Sequence, residues 1–331
     1  MNAICKQVSL CPIRLWSRWL KGRLQIMADQ VPVLITWDVD PYSRRDLERK
    51  RRALEAAVEL CRELDIRTTF LFVAQEAACY PDEIAEIKRA GHEIGCHGLT
   101  HGAEEEYSRM TSEKQRSYIE QATRLLEEQT GMPITAFRGP RVKTSNVTLK
   151  LLAEYGYLTD SSVCSQRLDL VSSNMINPGW LAAPRLPYHP HRDSAYRRGD
   201  LHILEVPVSA LVAPFISSAL YVLRLQPMKA LFRLLYAEAR STSKPIVYLA
   251  HPKEFGPKSG GRFQLWELSP QALRVHGLRF RRYLRESDPE IRLGLSRALF
   301  SYMASFPDVR FMTMREYALQ FSRAAATDGR E

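Results

Sequence analysis

Two histidines four residues apart are the first residues in this sequence whose types and spacing point to chemistry. They are His97 and His101, at the end of a short apolar segment. Neutral imidazole is a common metal ligand near pH 7, and Gly98 and Gly102 would let the chain turn so that both rings reach one ion. Protein metal sites generally use three or more protein ligands. A metal site at this pair therefore requires a further ligand from another part of the chain.

Two carboxylates end an earlier apolar segment. Residues 31–37 form a β-branched apolar run of strand length, and Asp38 and Asp40 follow it with Val39 between them. Because side chains at i and i+2 of a strand point the same way, both aspartates can face one site. One carboxylate with two imidazoles is a three-ligand set that leaves a divalent ion open to water. The other carboxylate could take a proton, and a distant histidine could protonate a leaving group.

The elements that must position these residues alternate between strand and helix. Strand patterns lie at 31–37, 68–73, 92–97, 134–137, 157–162, 202–208, 245–251 and 309–313, and helical patterns at 45–64, 82–90, 112–129, 146–155, 270–286, 290–305 and 314–322. Polar residues follow several strands, which brings Arg138 and His251 into the candidate site. The alternation predicts a parallel α/β barrel. A doubly wound open sheet is the alternative, but no Gly-rich phosphate turn follows the first strand.

We expect three parts along the chain: a basic N-terminal extension at 1–30, one barrel domain at 31–322 and a short tail at 323–331. The extension has no acidic residue before Met27 and lacks the apolar core and cleavage site of a signal peptide. It could be an amphipathic surface anchor, a disordered tail, or an over-long reading frame in which Met27 is the first residue. A Pro-rich stretch at 165–202 predicts a long loop.

The composition is that of a globular protein with excess positive charge. The 331 residues are 45% hydrophobic, and 47 basic against 37 acidic side chains give a net charge of +10. This charge favours an anionic partner such as a phospholipid surface or a phosphorylated glycan carrier, and a solvated basic surface is an equal alternative. No motif indicates nucleic-acid binding. The six cysteines have no framework spacing, which predicts reduced thiols.

A second region with a membrane-type pattern lies at 219–236. Here Arg224, Lys229 and Arg233 lie among leucines and phenylalanines, as in a helix that lies on a bilayer or lines a groove for a lipid tail. A barrel helix with an ordinary apolar face is the simpler interpretation. With no signal-peptide pattern, we expect a cytoplasmic protein, at the inner face of the membrane if the first interpretation holds.

In this chain order, the candidate residues resemble the polysaccharide deacetylase family, also called carbohydrate esterase family 4 or NodB homology domain, over roughly residues 31–317. Thr36-Trp37-Asp38-Val39-Asp40 is similar to the family's Thr-Phe-Asp-Asp motif, in an Asp-x-Asp form, and His97-Gly98-Leu99-Thr100-His101 is similar to its His-Ser/Thr-x-x-His motif. Further along the chain, Arg138-Gly139-Pro140 is similar to Arg-x-Pro, and Leu249-Ala250-His251 to Leu-x-His. The family's paired Asp and Trp is matched only by Asp160, with no Trp beside it.

The resemblance implies a distorted barrel of seven or eight βα units, and a role for each matching residue. Asp40, His97 and His101 would bind the metal. Asp38 would be the general base, positioned by Arg138, and His251 would be the general acid. The group that orients His251 is open, with Asp160 and Glu205 as alternatives, and Arg141 is a further candidate for orienting or binding substrate.

The resemblance also implies a metal-dependent hydrolase that removes an acetyl or formyl group from the nitrogen of an amino sugar, in a glycan or in a nucleotide-linked or lipid-linked saccharide. Zn²⁺ is the expected ion, although Co²⁺, Fe²⁺ and Ni²⁺ suit the same ligands. A same-fold hydrolase of small cyclic amides or ureides, and a non-catalytic glycan-binding or lipid-binding relative, are the two alternatives.

Overall fold

A long buried strand is the centre of the fold. In the computed structural model of the chain, the structure describes residues 30–41, 46–165, 178–211, 213–256 and 288–328. Strand β1 (Val31–Val39) is buried along its whole length. It pairs in parallel with β2 (Thr69–Phe72), β9 (Ile246–Ala250) and β10 (Val309–Phe311). A β-branched run covered on both faces is typical of a central parallel strand.

From β2 the sheet continues in parallel through four more strands. They are β3 (Glu93–Cys96), β4 (Ala136–Phe137), β5 (Thr159–Asp160) and β8 (Leu204–Glu205). After β8, the Ser209 N–H donates to the carbonyl oxygen of Val247 in β9 at 3.1 Å, which draws the two sides of the curled sheet together. The prediction of a parallel, distorted α/β barrel is confirmed.

The helices cover the sheet and begin where the sequence provides caps. They are α1 (Leu47–Glu63), α2 (Ala74–Ala77), α3 (Pro81–Arg89), α4 (Ser112–Thr130), α5 (Asn146–Glu154), α6 (Pro178–Ala182), α7 (Ser217–Leu223), α8 (Leu225–Thr242), α9 (Pro289–Ala304) and α10 (Met314–Asp328). Thr111, for example, caps α4 by accepting a hydrogen bond from the Lys114 N–H at 3.3 Å. Buried aromatic rings join the layers, since Trp37 of β1 contacts Phe70, Phe255 and Phe300.

Three segments differ from the sequence prediction. The part of 165–202 that the structure describes contains α6 and a hairpin of β6 (Pro190–His191) and β7 (Ser194–Arg198), because short elements within a Pro-rich stretch give no periodic signal. The stretch 219–236 is not one helix, since α7 ends and α8 begins at Arg224, where φ is 70°. Helix α10 continues to Asp328, past the predicted boundary at 322.

Helix α8 buries its apolar face in the core, as expected of a barrel helix, through residues that include Leu231, Phe232 and Leu235. In the part of the chain that the structure describes, no helix is both long enough and apolar enough to span a membrane. The N-terminal extension, apart from Gln30, and the helix predicted at 270–286 lie outside the described residues.

Candidate metal centre and active site

Three side chains at strand ends form a cluster of metal-ligand type. Asp40 directly follows β1, His97 directly follows β3, and His101 lies in the next loop. Oδ1 of Asp40 is 3.3 Å from Nε2 of His97 and 3.5 Å from Nε2 of His101. One potential ligand atom from each residue lies within 4.8 Å of the other two. Ligand atoms about 2 Å from one zinc ion are themselves roughly 3–3.5 Å apart, so this cluster has a suitable size.

The surroundings of the cluster also suit a cation. The Nδ1–H of His97 donates to the carbonyl oxygen of Arg138 at 2.8 Å, which leaves the lone pair of Nε2 toward Asp40. Oδ1 of Asp40 is buried, and no described residue donates a hydrogen bond to it. Because a buried carboxylate oxygen needs a positive partner, and two acceptor nitrogens flank it here, a divalent ion fits this donor set.

The pKa values of the two histidines agree with this fit. Burial and the neighbouring His97 lower the pKa of His101 to about 4, so its ring is neutral at pH 7. Burial also acts to lower the pKa of His97, but the charges of Asp38 and Asp40 outweigh it and raise that pKa overall. Two carboxylates thus stabilise positive charge at His97, as they would stabilise a cation bound there.

The second oxygen of Asp40 faces basic side chains instead. The Lys253 ammonium contacts Oδ2, and Nε2 of His251 lies 3.8 Å from the same oxygen. Burial acts to raise the pKa of Asp40, but Lys253 and His251 outweigh it and hold this pKa well below its ordinary value. Asp40 is therefore a carboxylate at neutral pH, with one oxygen toward the histidine pair and the other toward Lys253 and His251.

Asp38 is held by a buried arginine. Its Oδ1 accepts a hydrogen bond from Nη1 of Arg138 at 2.7 Å, while its Oδ2 lies 3.8 Å from Nε2 of His97. Arg138 is fully buried, and it also donates to the Thr36 hydroxyl and to the hydroxyl and carbonyl oxygens of Ser161, each at 2.9 Å. A planar guanidinium with this many partners fixes the carboxylate of Asp38 in one orientation.

The loop that carries His101 is organised by Glu105, a residue that the sequence did not indicate. The Glu105 carboxylate accepts hydrogen bonds from the backbone N–H groups of Leu99, Thr100 and His101, each at 2.7 Å. Gly98 has a φ of 83°, and a Cβ there would lie 2.6 Å from Oε1 of Glu105. His101 has a φ of 58°, a conformation that costs energy in a non-glycine residue. The buried carboxylate thus maintains the strained loop that brings His101 to Asp40.

Arg141 supports the same loop. Its Nη2 donates to the carbonyl oxygens of Gly102 at 3.1 Å and Glu105 at 2.6 Å. Arg141 itself has a φ of 58°. Its hydrogen bonds therefore make it a support for the loop, rather than a residue that orients His251.

Asp160 and Glu205 form a separate pair. They are fully buried and lie opposite each other in the register of β5 and β8. Asp160 accepts from the Ser162 hydroxyl at 2.5 Å, and Glu205 accepts from the Val163 N–H at 3.0 Å. Neither contacts His251, so the expectation that one of them orients this ring is not met. The strand ends turn the two carboxyl groups toward each other instead.

The two carboxyl groups of this pair do not both ionise easily. Burial raises the pKa of Asp160, and burial with the charge of Asp160 raises the pKa of Glu205 well above its ordinary value. Oδ2 of Asp160 and Oε2 of Glu205 receive no hydrogen bond from any N–H or hydroxyl group among the described residues. One proton shared between the carboxyl groups would satisfy both oxygens.

The structure thus brings six predicted residues to one edge of the sheet: Asp38, Asp40, His97, His101, Arg138 and His251. Sequence reasoning missed Glu105, Lys253 and Glu254. The last two lie in the short 3₁₀ helix Pro252–Phe255 that follows His251. A Pro directly after a strand-terminal histidine is a signal for such a turn, and it could have indicated that the residue three positions on lies near the ring.

Comparisons with known proteins agree with this geometry. The polysaccharide deacetylase family model matches residues 27–159. The peptidoglycan deacetylase of Helicobacter pylori is 26% identical over 106 residues, which are 32% of this chain and 35% of that protein. This chain therefore matches only about a third of the length of that relative.

Solved structures share the fold over most of the chain. A Mycobacterium smegmatis structure described as a polysaccharide deacetylase superposes with a TM-score of 0.60 and 19% identity, covering 89% of this chain and 91% of that one. PuuE allantoinase superposes with a TM-score of 0.56 and 16% identity, covering 91% of this chain and 93% of that one. At these identities the likeness shows the fold alone. The family match, by contrast, is a match of sequence, and its residues 27–159 include Asp38, Asp40, His97, His101 and Arg138.

Proposed function

We propose that the protein is a metal-dependent hydrolase that removes an N-acetyl or N-formyl group from an amino sugar of a glycan. The observation that carries this proposal is the cluster of Asp40, His97 and His101 around one unpartnered carboxylate oxygen, beside Asp38 and His251. The family match supports deacetylation as the reaction. Zn²⁺ is the proposed ion, since one carboxylate with two neutral imidazoles is a common zinc donor set.

A divalent ion at this cluster would supply Lewis acidity for the amide carbonyl and a lowered pKa for water. The protein supplies the base. Asp38 lies beside the ligand set without belonging to it, since its Oδ2 is 3.8 Å from Nε2 of His97. Arg138 holds one of its oxygens at 2.7 Å, so the other is the oxygen that takes the proton from attacking water.

His251 is the proposed general acid. It is partly exposed, with 25% of its side chain accessible, so a substrate can reach it, and its Nε2 faces the same carboxylate that joins the ligand set. An amide nitrogen is a poor leaving group until it is protonated, and a proton from Nε2 of His251 would convert it into an amine that departs. Asp38 and His251 would thus divide the base and acid roles between two strand ends.

A nucleotide-linked or lipid-linked saccharide is the finer proposal for the substrate, with a location at the inner face of the membrane. What supports it is the net charge of +10, which favours a phosphate-bearing partner. A free glycan would not require this charge. The nature of the carrier is therefore a separate question from the chemistry at the site.

The test is a substrate panel with mass spectrometric detection of the free amine and the released acid. The panel contains N-acetylglucosamine oligomers, peptidoglycan fragments, a nucleotide-linked N-acetyl sugar, a lipid-linked N-formyl sugar, and a cyclic ureide for the allantoinase-like alternative. Zn²⁺-loaded protein should release acetate or formate from at least one amino sugar. His97→Ala should lose this activity, whereas His191→Ala, at a half-exposed ring in the β6–β7 hairpin, should keep it.

Two results would contradict the proposal. Hydrolysis of the ureide alone would assign the site to ring amides, and a fully active His97→Ala protein would remove the ligand set from the mechanism. Binding of glycans without turnover of any amide would favour the non-catalytic alternative.

A further inference from the structure

The group that orients the proposed acid His251 is the open question at this site. Nδ1 of His251 is buried and has no hydrogen-bond partner among the described residues. A histidine that works through Nε2 is usually held through Nδ1, because a partner there fixes both the tautomer and the ring plane. The carboxylates that the sequence suggested for this role, Asp160 and Glu205, are occupied with each other.

A different carboxylate lies beside this nitrogen. Oε2 of Glu254 is 3.8 Å from Nδ1 of His251, on the opposite edge of the ring from Nε2. A charge-assisted hydrogen bond is about 1 Å shorter than this distance, so the two side chains must move that much closer to form one. Glu254 is 7% exposed, so its carboxylate, like Nδ1 of His251, is removed from solvent.

The backbone fixes Glu254 in this place. The 3₁₀ helix starts with Pro252, and the Glu254 N–H donates to the carbonyl oxygen of His251 at 3.0 Å. The Phe255 ring packs edge-on against Trp37 with 5.7 Å between ring centroids, which anchors the turn to β1. Because residues i and i+3 of a 3₁₀ helix lie on the same side, this turn returns the carboxylate to the ring.

The far end of the turn is fixed as well. Nη2 of Arg292, a buried residue of α9, donates to the carbonyl oxygen of Gly256 at 3.1 Å. Phe255 on one side and Arg292 on the other thus hold the backbone of the turn that carries Glu254.

We propose that Glu254 is the positioning residue for His251, and that its carboxylate accepts the Nδ1–H so that Nε2 faces the metal-ligand cluster. This inference rests on the proposed function, since it assigns the residue that holds the acid of that reaction. It places the acid and its support in one segment, His251 to Glu254, rather than on two separate strands.

The experiment compares Glu254→Met, which removes the acceptor, with Glu254→Gln, which keeps an acceptor oxygen at the same distance. Loss of such a supporting partner typically costs about 10-fold to 100-fold in activity, so we expect kcat to fall by this factor in Glu254→Met and by less in Glu254→Gln. KM and the amount of Zn²⁺ bound per chain should stay unchanged in both. Glu48→Met, at an exposed position of α1, is the control and should retain wild-type kcat.

A second measurement does not depend on activity. Nitrogen-15 spectra of the histidine rings should show a hydrogen-bonded proton on Nδ1 of His251 in the wild type, and its loss in Glu254→Met. A wild-type kcat in Glu254→Met, or a parallel loss of kcat and bound Zn²⁺, would overturn the inference while leaving the proposed function intact. A wild-type protein that hydrolyses no amide would contradict the proposed function, and the ring spectra alone would then decide whether Glu254 holds His251.

Discussion

Two pairs of carboxylates lie at the same edge of one parallel sheet, and their surroundings give them opposite properties. Asp38 and Asp40 end β1 among Arg138, Lys253 and histidine rings. The second pair, Asp160 and Glu205, ends β5 and β8 among hydroxyl groups and each other. The pKa of Asp40 is held low by cations, whereas both pKa values of the second pair are raised by burial.

A strand-end position therefore does not by itself make a carboxylate available for chemistry. The first pair faces cationic side chains, and it borders a cluster that suits an ion. The second pair has raised pKa values and connects two strands. Arg138 lies between the pairs, since it binds Asp38 directly and the β5 segment through Ser161.

Removal of the arginine between the pairs should have the largest effect. Removing one partner of a buried ion pair typically lowers the free energy of unfolding by roughly 3–5 kcal/mol, because the other charge stays buried without a partner. We therefore expect Arg138→Met to lower the free energy of unfolding by about that amount in urea denaturation. Arg116→Met, which removes an exposed ion pair with Glu154, is the matched control and should cost far less, because solvent screens an exposed pair. Equal losses in the two variants would contradict the role of Arg138.

Neutralising Asp38 alone, the member of the first pair outside the ligand set, should lower turnover strongly without loss of metal. General-base catalysis contributes on the order of 10²–10⁴-fold, so Asp38→Asn should lower kcat by such a factor while binding Zn²⁺ as the wild type does. Asp193→Asn, at an exposed position of the β6–β7 turn, should behave as the wild type. A kcat for Asp38→Asn within a few-fold of wild type would transfer the base role to another group.

The position of the loop that carries His101, and so the affinity for Zn²⁺, should depend on Glu105. A Gln there has one acceptor oxygen where the carboxylate accepts three backbone N–H groups. Changes in groups that orient a metal ligand typically weaken affinity about 10-fold to 100-fold, and we expect this loss of Zn²⁺ affinity in Glu105→Gln, measured by titration calorimetry. The carboxylate of its neighbour Glu104 accepts a hydrogen bond from the Thr100 hydroxyl at the surface, so Glu104→Gln should leave affinity unchanged. An effect of the same size in both variants would argue against Glu105 as the organiser.

The second pair should affect stability in a pH-dependent way. The pKa of Glu205 is raised on folding, so the stability that its protonated form contributes is present below its ordinary pKa and is lost as pH rises through the raised value. Glu205→Gln keeps a neutral group at all pH values. Near pH 8, Glu205→Gln should therefore melt at a higher temperature than the wild type and be more stable by about 1 kcal/mol. Near pH 5 this difference in stability should be smaller. A larger gain at low pH would contradict the shared proton.

Much of the site was predictable because parallel strands end at one edge. Short apolar runs identified β1, β3, β4 and β9, and the polar residues that follow them had to converge once the sheet was parallel. Asp38, Asp40, His97, Arg138 and His251 were identified in this way. The bounds of α1, α4 and α9 followed within two residues from the helical periodicity.

The sequence prediction missed the contacts that are made within loops and turns. The three hydrogen bonds of Glu105 depend on the left-handed conformations of Gly98 and His101, which no pattern in the sequence specifies. The proximity of Glu254 to His251 depends on a 3₁₀ turn rather than a plain loop. The pairing of Asp160 with Glu205 depends on strand order, since β8 rather than the intervening hairpin lies beside β5.

We expect Asp40, His97 and His101 to bind one divalent ion together. Titration of metal-free protein with Zn²⁺ measures this binding directly. The wild type should bind one ion per chain, and His101→Ala should lose that binding or weaken it at least about 10-fold, since it removes a direct ligand. His202→Ala, an exposed histidine outside the cluster, should bind as the wild type does. One ion per chain with unchanged affinity in His101→Ala would contradict the ligand set.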